Sequence, residues 1–230
     1  MIRTKSGSLR HSVKLLLVSV ALITIVSSAN AAAPASYSLI TQEDGWTALK
    51  TDDGILFVWN RTGLHFTLSV KGKDIRPMND PNNIFFVVDG LILQIQSLPI
   101  SNFAPDARKN KLDDKTILLA HRDWESGFLE TELLHTKIKV KSATEKLSAG
   151  IDALIWQYDL PENLKNPDAT GQMYLTRVAQ DYVILLNAVT SPAVTESAAR
   201  RFLLDTIATL KISQDRIDIK KLQEAIQKGP

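Results

Sequence analysis

The stretch Tyr182–Val189 (YVILLNAV) is apolar at consecutive positions, with Asn187 as its one strongly polar residue. Successive side chains of a strand point to opposite faces. A strand of this composition therefore needs cover on both sides, which excludes a sheet with one face in water and demands a layered fold. Its neighbours supply partners. Met173–Val178 precedes it across Ala179-Gln180-Asp181 and forms a hairpin with it, and Ala153–Tyr158 (ALIWQY) is a further strand, ended by a loop between Pro161 and Pro167. Ile84–Val88 meets Leu91–Leu98 across Asp89-Gly90, a dipeptide suited to a type I′ turn because both central residues need positive φ. Ile55–Trp59 and Leu64–Val70 flank the turn Asn60-Arg61-Thr62-Gly63, and Lys137–Lys141 (KIKVK) alternates as a strand does.

Three segments have helical character. Asp113 to about Leu134 carries Ile117, Ala120, Trp124, Phe128 and Thr131 on one stripe, with Asp113 and Asp114 at the positive end of its dipole. Ser191-Pro192 opens a second helix whose core stripe is Ala199, Phe202, Leu203, Ile207 and Leu210. A short amphipathic helix from about Arg216 to Gln227 closes the chain. The second helix is expected to cover one face of the Tyr182–Val189 strand and the Asp113–Leu134 helix the other. No Pro/Gly/Ser-rich linker interrupts the pattern, so residues 46–230 read as a single α+β domain preceded by a flexible tether at 32–45.

Residues 1–31 read as a secretory signal peptide. Arg3, Lys5, Arg10 and Lys14 precede an apolar run, Leu15–Val26, and Ala29-Asn30-Ala31 offers a small-x-small cleavage site. The run has about twelve residues, short of the roughly 20 that span a bilayer. Four of the 27 basic residues and none of the 25 acidic ones lie in this leader, which leaves a formal charge of −2 on the remainder. Such a charge sets up no field to attract nucleic acid. The chain has no cysteine, so disulfides, thiolate metal sites and a cysteine nucleophile are ruled out.

The strands TKIKVK, ALIWQYDL, QMYLTRVA and DYVILLNAVT, followed by the Ala199…Leu210 helix, resemble the PsbP/DcrB-like superfamily in order and texture. The resemblance runs over roughly residues 84 to 212 and implies an antiparallel β-sheet sandwiched between helices. It also implies a small non-enzymatic protein without a short catalytic motif. The alternative architecture is a cystatin- or NTF2-like sheet wrapped on one long helix.

The residues that could carry chemistry lie on the long helix. His121, Glu125, Glu132 and His135 fall within an arc of about 80° on an ideal helix. Glu132 and His135 form Glu-x-x-His, a spacing used by di-iron carboxylate helices, although no second such motif exists to complete a pair. The row therefore reads either as a metal or acid/base edge or as a solvated flank beside the Trp124/Phe128 stripe. No Gly-x-Ser-x-Gly elbow or Gly-rich phosphate loop is present. Lys137, Lys139 and Lys141 read as a basic strand face that binds a partner or guards an edge. Trp124 and Trp156 fit core patterns, whereas Trp46 and Trp59 fit a core or a groove. Asn60-Arg61-Thr62 is a glycosylation sequon that implies a surface turn.

The expectation is an exported, non-enzymatic protein of the periplasm or cell envelope, without cofactor. It would act through contacts with another envelope protein, with no nucleic-acid partner and no membrane span after cleavage. The alternative is a small-ligand or metal-binding module, or a hydrolase, that uses the His/Glu row.

Overall fold

A computed structural model describes residues 40–42, 45–78, 83–147 and 150–228. The leader and most of the tether lie outside this range. The strands are β1 (Ile40–Gln42), β2 (Trp46–Thr51), β3 (Gly54–Arg61), β4 (Leu64–Lys71), β5 (Ile75–Pro77), β6 (Phe85–Val88) and β7 (Leu91–Pro99). After helix α1 (Asp114–Phe128) come β8 (Lys141–Lys146), β9 (Asp152–Asp159), β10 (Gly171–Ala179) and β11 (Tyr182–Thr190). Helix α2 (Glu196–Ile207), β12 (Lys211–Ser213) and helix α3 (Ile219–Lys228) complete the order.

The fold is α+β, with two antiparallel sheets and three α-helices among the described residues. Sheet A has the order β1-β2-β3-β4-β12, and sheet B the order β5-β6-β7-β11-β10-β9-β8. The two-sided strand sits inside sheet B as β11, paired with β7 and β10. Its side chains divide between two interiors. Ile184, Leu186 and Ala188 join the core that holds Ala199, Leu203 and Ile207 of α2. Val183, Leu185 and Val189 join the core that holds Ile117, Leu118 and Leu129 on the side of α1. Both expected covers are therefore in place.

Sheet A is the layer that local patterns did not announce. It shares the α2 side of sheet B, where Phe57, Trp59 and Phe66 face Phe86 and Leu93. Trp46 stacks on Phe57 and Trp59 on Phe66, so both tryptophans are core residues. Each hairpin signals only its own turn, whereas the sheet-on-sheet contact depends on which faces are left uncovered.

The β6–β7 turn has φ of 48° at Asp89 and 87° at Gly90, as a type I′ turn requires. The β3–β4 turn is shorter than expected, because Asn60 and Arg61 continue the ladder opposite His65 and Leu64. Residues 137–140 are not a strand. The Glu130 carboxylate accepts the Ile138 amide at 3.1 Å, and Ile138 and Val140 pack onto the α1 core, so pairing begins only at Lys141. The helix after Pro192 starts four residues later than the Ser-Pro signal suggests. Ser191 and Val194 close a turn through their own backbone groups, and Thr195 caps α2 by accepting from the Ala198 amide. Leu203 is fully buried, whereas Phe202 is only half-buried at the edge of the same core. Asp113 caps α1 as its position implied, accepting from the Thr116 amide at 2.7 Å.

Candidate functional site

Helix α1 is rotated relative to the stripe read from its sequence. Its buried residues are Ile117, Leu118, His121 and Glu125, while Trp124 and Phe128 are half-buried. Phe103, from the segment after β7, stands edge-on to His121 with centroids 5.1 Å apart and lies 6.1 Å from Trp124. These two rings roof the histidine, whose exposure is 0%. A hydrophobicity stripe assigns His and Glu to solvent by type. The position of Phe103, set by tertiary packing, reverses that assignment.

Below the helix, sheet B presents aromatic and polar side chains. Trp156 stacks on Tyr174 with centroids 3.9 Å apart, and Tyr158 lies 6.3 Å from the same ring. The Tyr174 hydroxyl donates to the Gln172 side-chain carbonyl. Neither ring nitrogen of His121 nor the Trp156 indole N–H has a hydrogen-bond partner. Burial disfavours the charged forms. It pushes the Glu125 carboxyl up to about 7 and the His121 imidazole down to about 4. The Tyr158 phenol is held protonated well above its usual range by burial, with the Tyr174 hydroxyl working against this and the Glu125 charge adding to it.

The four sequence candidates are thus separated. His121 and Glu125 face the interior, whereas Glu132 and His135 are exposed. Beyond α1 the chain widens into a π turn at Leu129–Leu133, and His135 adopts a φ of 50°, which breaks the ideal arc. His65 lies on sheet A, opposite Asn60 and Ser213. Among the described residues no group of three or more His, Asp or Glu side chains comes together to hold a metal ion. The inner pair is shielded from water, and among the described residues no third ligand joins it.

The three-lysine face does not form either. Lys137 is bound to Glu130, and Lys141 lies 3.8 Å from Asp159. Asn60 of the sequon is 8% exposed, and its side chain is engaged with the backbone of Ile217 on both of its polar atoms. Hence it is an internal tie within the protein, not a surface turn.

A groove at the opposite side of the molecule was not singled out by any sequence motif. It encloses about 850 Å³ and is lined by the β2–β3 hairpin from Ala48 to Ile55, Lys71 at the end of β4 with Gly72 and Lys73 after it, Ile75 and Pro77 of β5, Phe86, and one side of α3. Its floor is apolar and its rim charged. Asp53 pairs with Lys71 at 3.1 Å, and that hydrogen bond holds the Asp53 carboxyl below its usual range. Asp89 accepts the amides of Asp74 at 2.8 Å and Lys73 at 3.0 Å, which lowers its carboxyl in the same way and fixes the rim. Sites that bind ligands or peptides combine a concave apolar floor with a few fixed polar groups. This groove has both. Its lining comes from elements far apart in the sequence, and the one local hint is the amphipathic character of the last helix.

No protein-family model matches the chain, and no curated protein matches it in sequence. Among the described residues no helix is long and apolar enough to cross a membrane.

Proposed function

We propose that this is an exported, non-enzymatic protein of the periplasm or cell envelope that acts through protein–protein contact. In this reading its groove receives an extended segment of another envelope protein. The observation that carries the reading is the 850 Å³ groove itself, with its apolar floor and fixed charged rim. Export rests on the basic, apolar and small-residue order of residues 1–31. The formal −2 charge of the remainder argues against nucleic acid as the partner.

The PsbP/DcrB-like reading draws support from α1 and α2 on opposite faces of sheet B. Sheet A is an addition to that plan. The metal or hydrolase reading has less behind it, because Glu132 and His135 point away from the buried His121–Glu125 pair.

Site-specific photo-crosslinking in the native envelope fraction tests the proposal. A crosslinker at Lys73, on the rim, should give a discrete adduct that one at exposed Lys139 does not. The captured peptide, once synthesised, should shift the resonances of residues 48–55 and 71–75. Equal adducts from both positions, or shifts confined to the α1 side, would refute the proposal.

A further inference from the structure

We propose that α3 is a hinged lid whose release opens the groove, a regulation of the binding site argued above and resting on that reading. The outer face of sheet A is the starting point. Thr47, Leu49 and Val58 lie on it at 2%, 3% and 0% exposure. Leu49 and Val58 nevertheless belong to neither interior core. Asn60 shares this face, since it alternates with Val58 along β3.

The Asn60 side chain is a two-point catch. Its Nδ2 donates to the Ile217 carbonyl at 2.9 Å, and its Oδ1 accepts the Ile217 amide at 2.9 Å. The chain therefore crosses this face just before α3. The helix that follows carries Ile219, Leu222 and Ile226 at i, i+3 and i+7, yet none of its residues is buried. Its side chains Gln223, Ile226 and Gln227 form a wall of the groove that Leu49 also lines.

A helix of this length is marginal in water by itself and owes its order to its contacts. With only half-buried side chains against the sheet, α3 belongs to the low end of local stability. Residues 214–216, between β12 and the catch at Ile217, supply the pivot. The Asp218 carboxylate accepts the Lys221 amide, so the helix start travels with the lid. In the clasped position α3 narrows the groove. In the released position the Leu49–Val58 face becomes continuous with the groove floor. An entering segment favours release because it covers that face in place of α3, which is the differential contact that any population shift requires.

Native-state hydrogen exchange on the full mature chain tests the lid without any ligand. In the parent, α3 amides should exchange through local opening, far faster than those of β10 and β11. Asn60→Ala should speed α3 exchange by about tenfold, the scale of two lost hydrogen bonds, and leave β10 and β11 unchanged. Ile226→Gln loosens the same helix without touching the sheet and should act in the same direction. Exchange of α3 at the β11 rate in the parent and both variants would overturn the lid. The groove is read separately with 1-anilinonaphthalene-8-sulfonate. Its fluorescence should rise in Asn60→Ala and fall in Lys73→Glu. A lid that opens without changing dye binding would leave the hinge standing and count against the groove as the binding site.

Discussion

On the face of sheet B that meets sheet A and α2, Phe86, Leu93, Ile184 and Leu186 pack against Phe57, Phe66 and Leu203. On the face under α1, Trp156, Tyr158 and Tyr174 share a core with Ile117 and Leu118 of the helix that also buries His121 and Glu125. The same strands supply both faces through strict alternation, so the contrast arises from single positions and not from different segments. The first interior is held by apolar transfer and close packing, which carry no pH dependence. The second buries the titratable side chains His121 and Glu125 and several polar atoms without partners, whereas the first holds such an atom in the Trp59 indole nitrogen. An unsatisfied buried group costs about 1–3 kcal/mol. The second interior is closed, but it stores charge-sensitive free energy that its counterpart lacks.

Truncations that empty each interior should have the largest effects. Trp156→Ala should cost about 3–5 kcal/mol and Leu203→Ala about 2–5 kcal/mol in urea unfolding, from lost transfer energy and the cavity left behind. Because sheet B separates the two sites, the double variant should be additive to within about 0.5 kcal/mol. A larger interaction energy would show that the two interiors communicate through the sheet. Half-buried Phe202 should give a smaller loss than Leu203.

Gly90→Val comes next. No atom lies within 4 Å of the position where a Cβ would stand, so the cost is backbone strain alone at a φ of 87°. That strain is expected at about 1–3 kcal/mol. The turn fixes the register that sends Phe86 to one interior and Phe85 to the other. A midpoint equal to the parent's would show that the turn does not set that register. The smallest change belongs to Arg201→Ala on the outward side of α2. Its partner Asp205 is 3.7 Å away and both side chains are largely exposed. Thermal unfolding should move by no more than about 0.5 kcal/mol in stability.

Much of this division was legible in the sequence, because the two-sided composition of Tyr182–Val189 dictates two covers and turn chemistry dictates the hairpins. The rest depended on contacts between distant segments. Phe103 packs against His121 and Trp124, and His121 and Glu125 are buried against their usual solvent preference. Glu130 reaches the Ile138 amide and delays a strand that alternation alone would start at Lys137. The docking of sheet A leaves no periodic trace, and the groove gathers β2, β4, β5 and α3 from residues more than a hundred positions apart. Asn60 was readable only as a sequon, since its true partner is 157 positions away.

The contrast between the interiors is tested most directly by stability against pH in three proteins: the parent, Glu125→Gln and His121→Leu. Burial raises Glu125 from 4.5 to about 7, so the folded state holds a proton that the unfolded chain releases, and stability falls as pH rises across that window. Burial lowers His121 from 6.5 to about 4, so the unfolded chain holds the extra proton, and stability rises as pH goes from about 4 to 6.5. Between pH 4.5 and 6.5 the two slopes oppose each other in the parent. Relative to the parent, Glu125→Gln should gain stability as pH rises through this range, and His121→Leu should lose it. Each divergence should be on the order of 3 kcal/mol. Opposite slopes in the two variants are the predicted result. Profiles parallel to the parent in both would contradict a buried, titrating interior under α1.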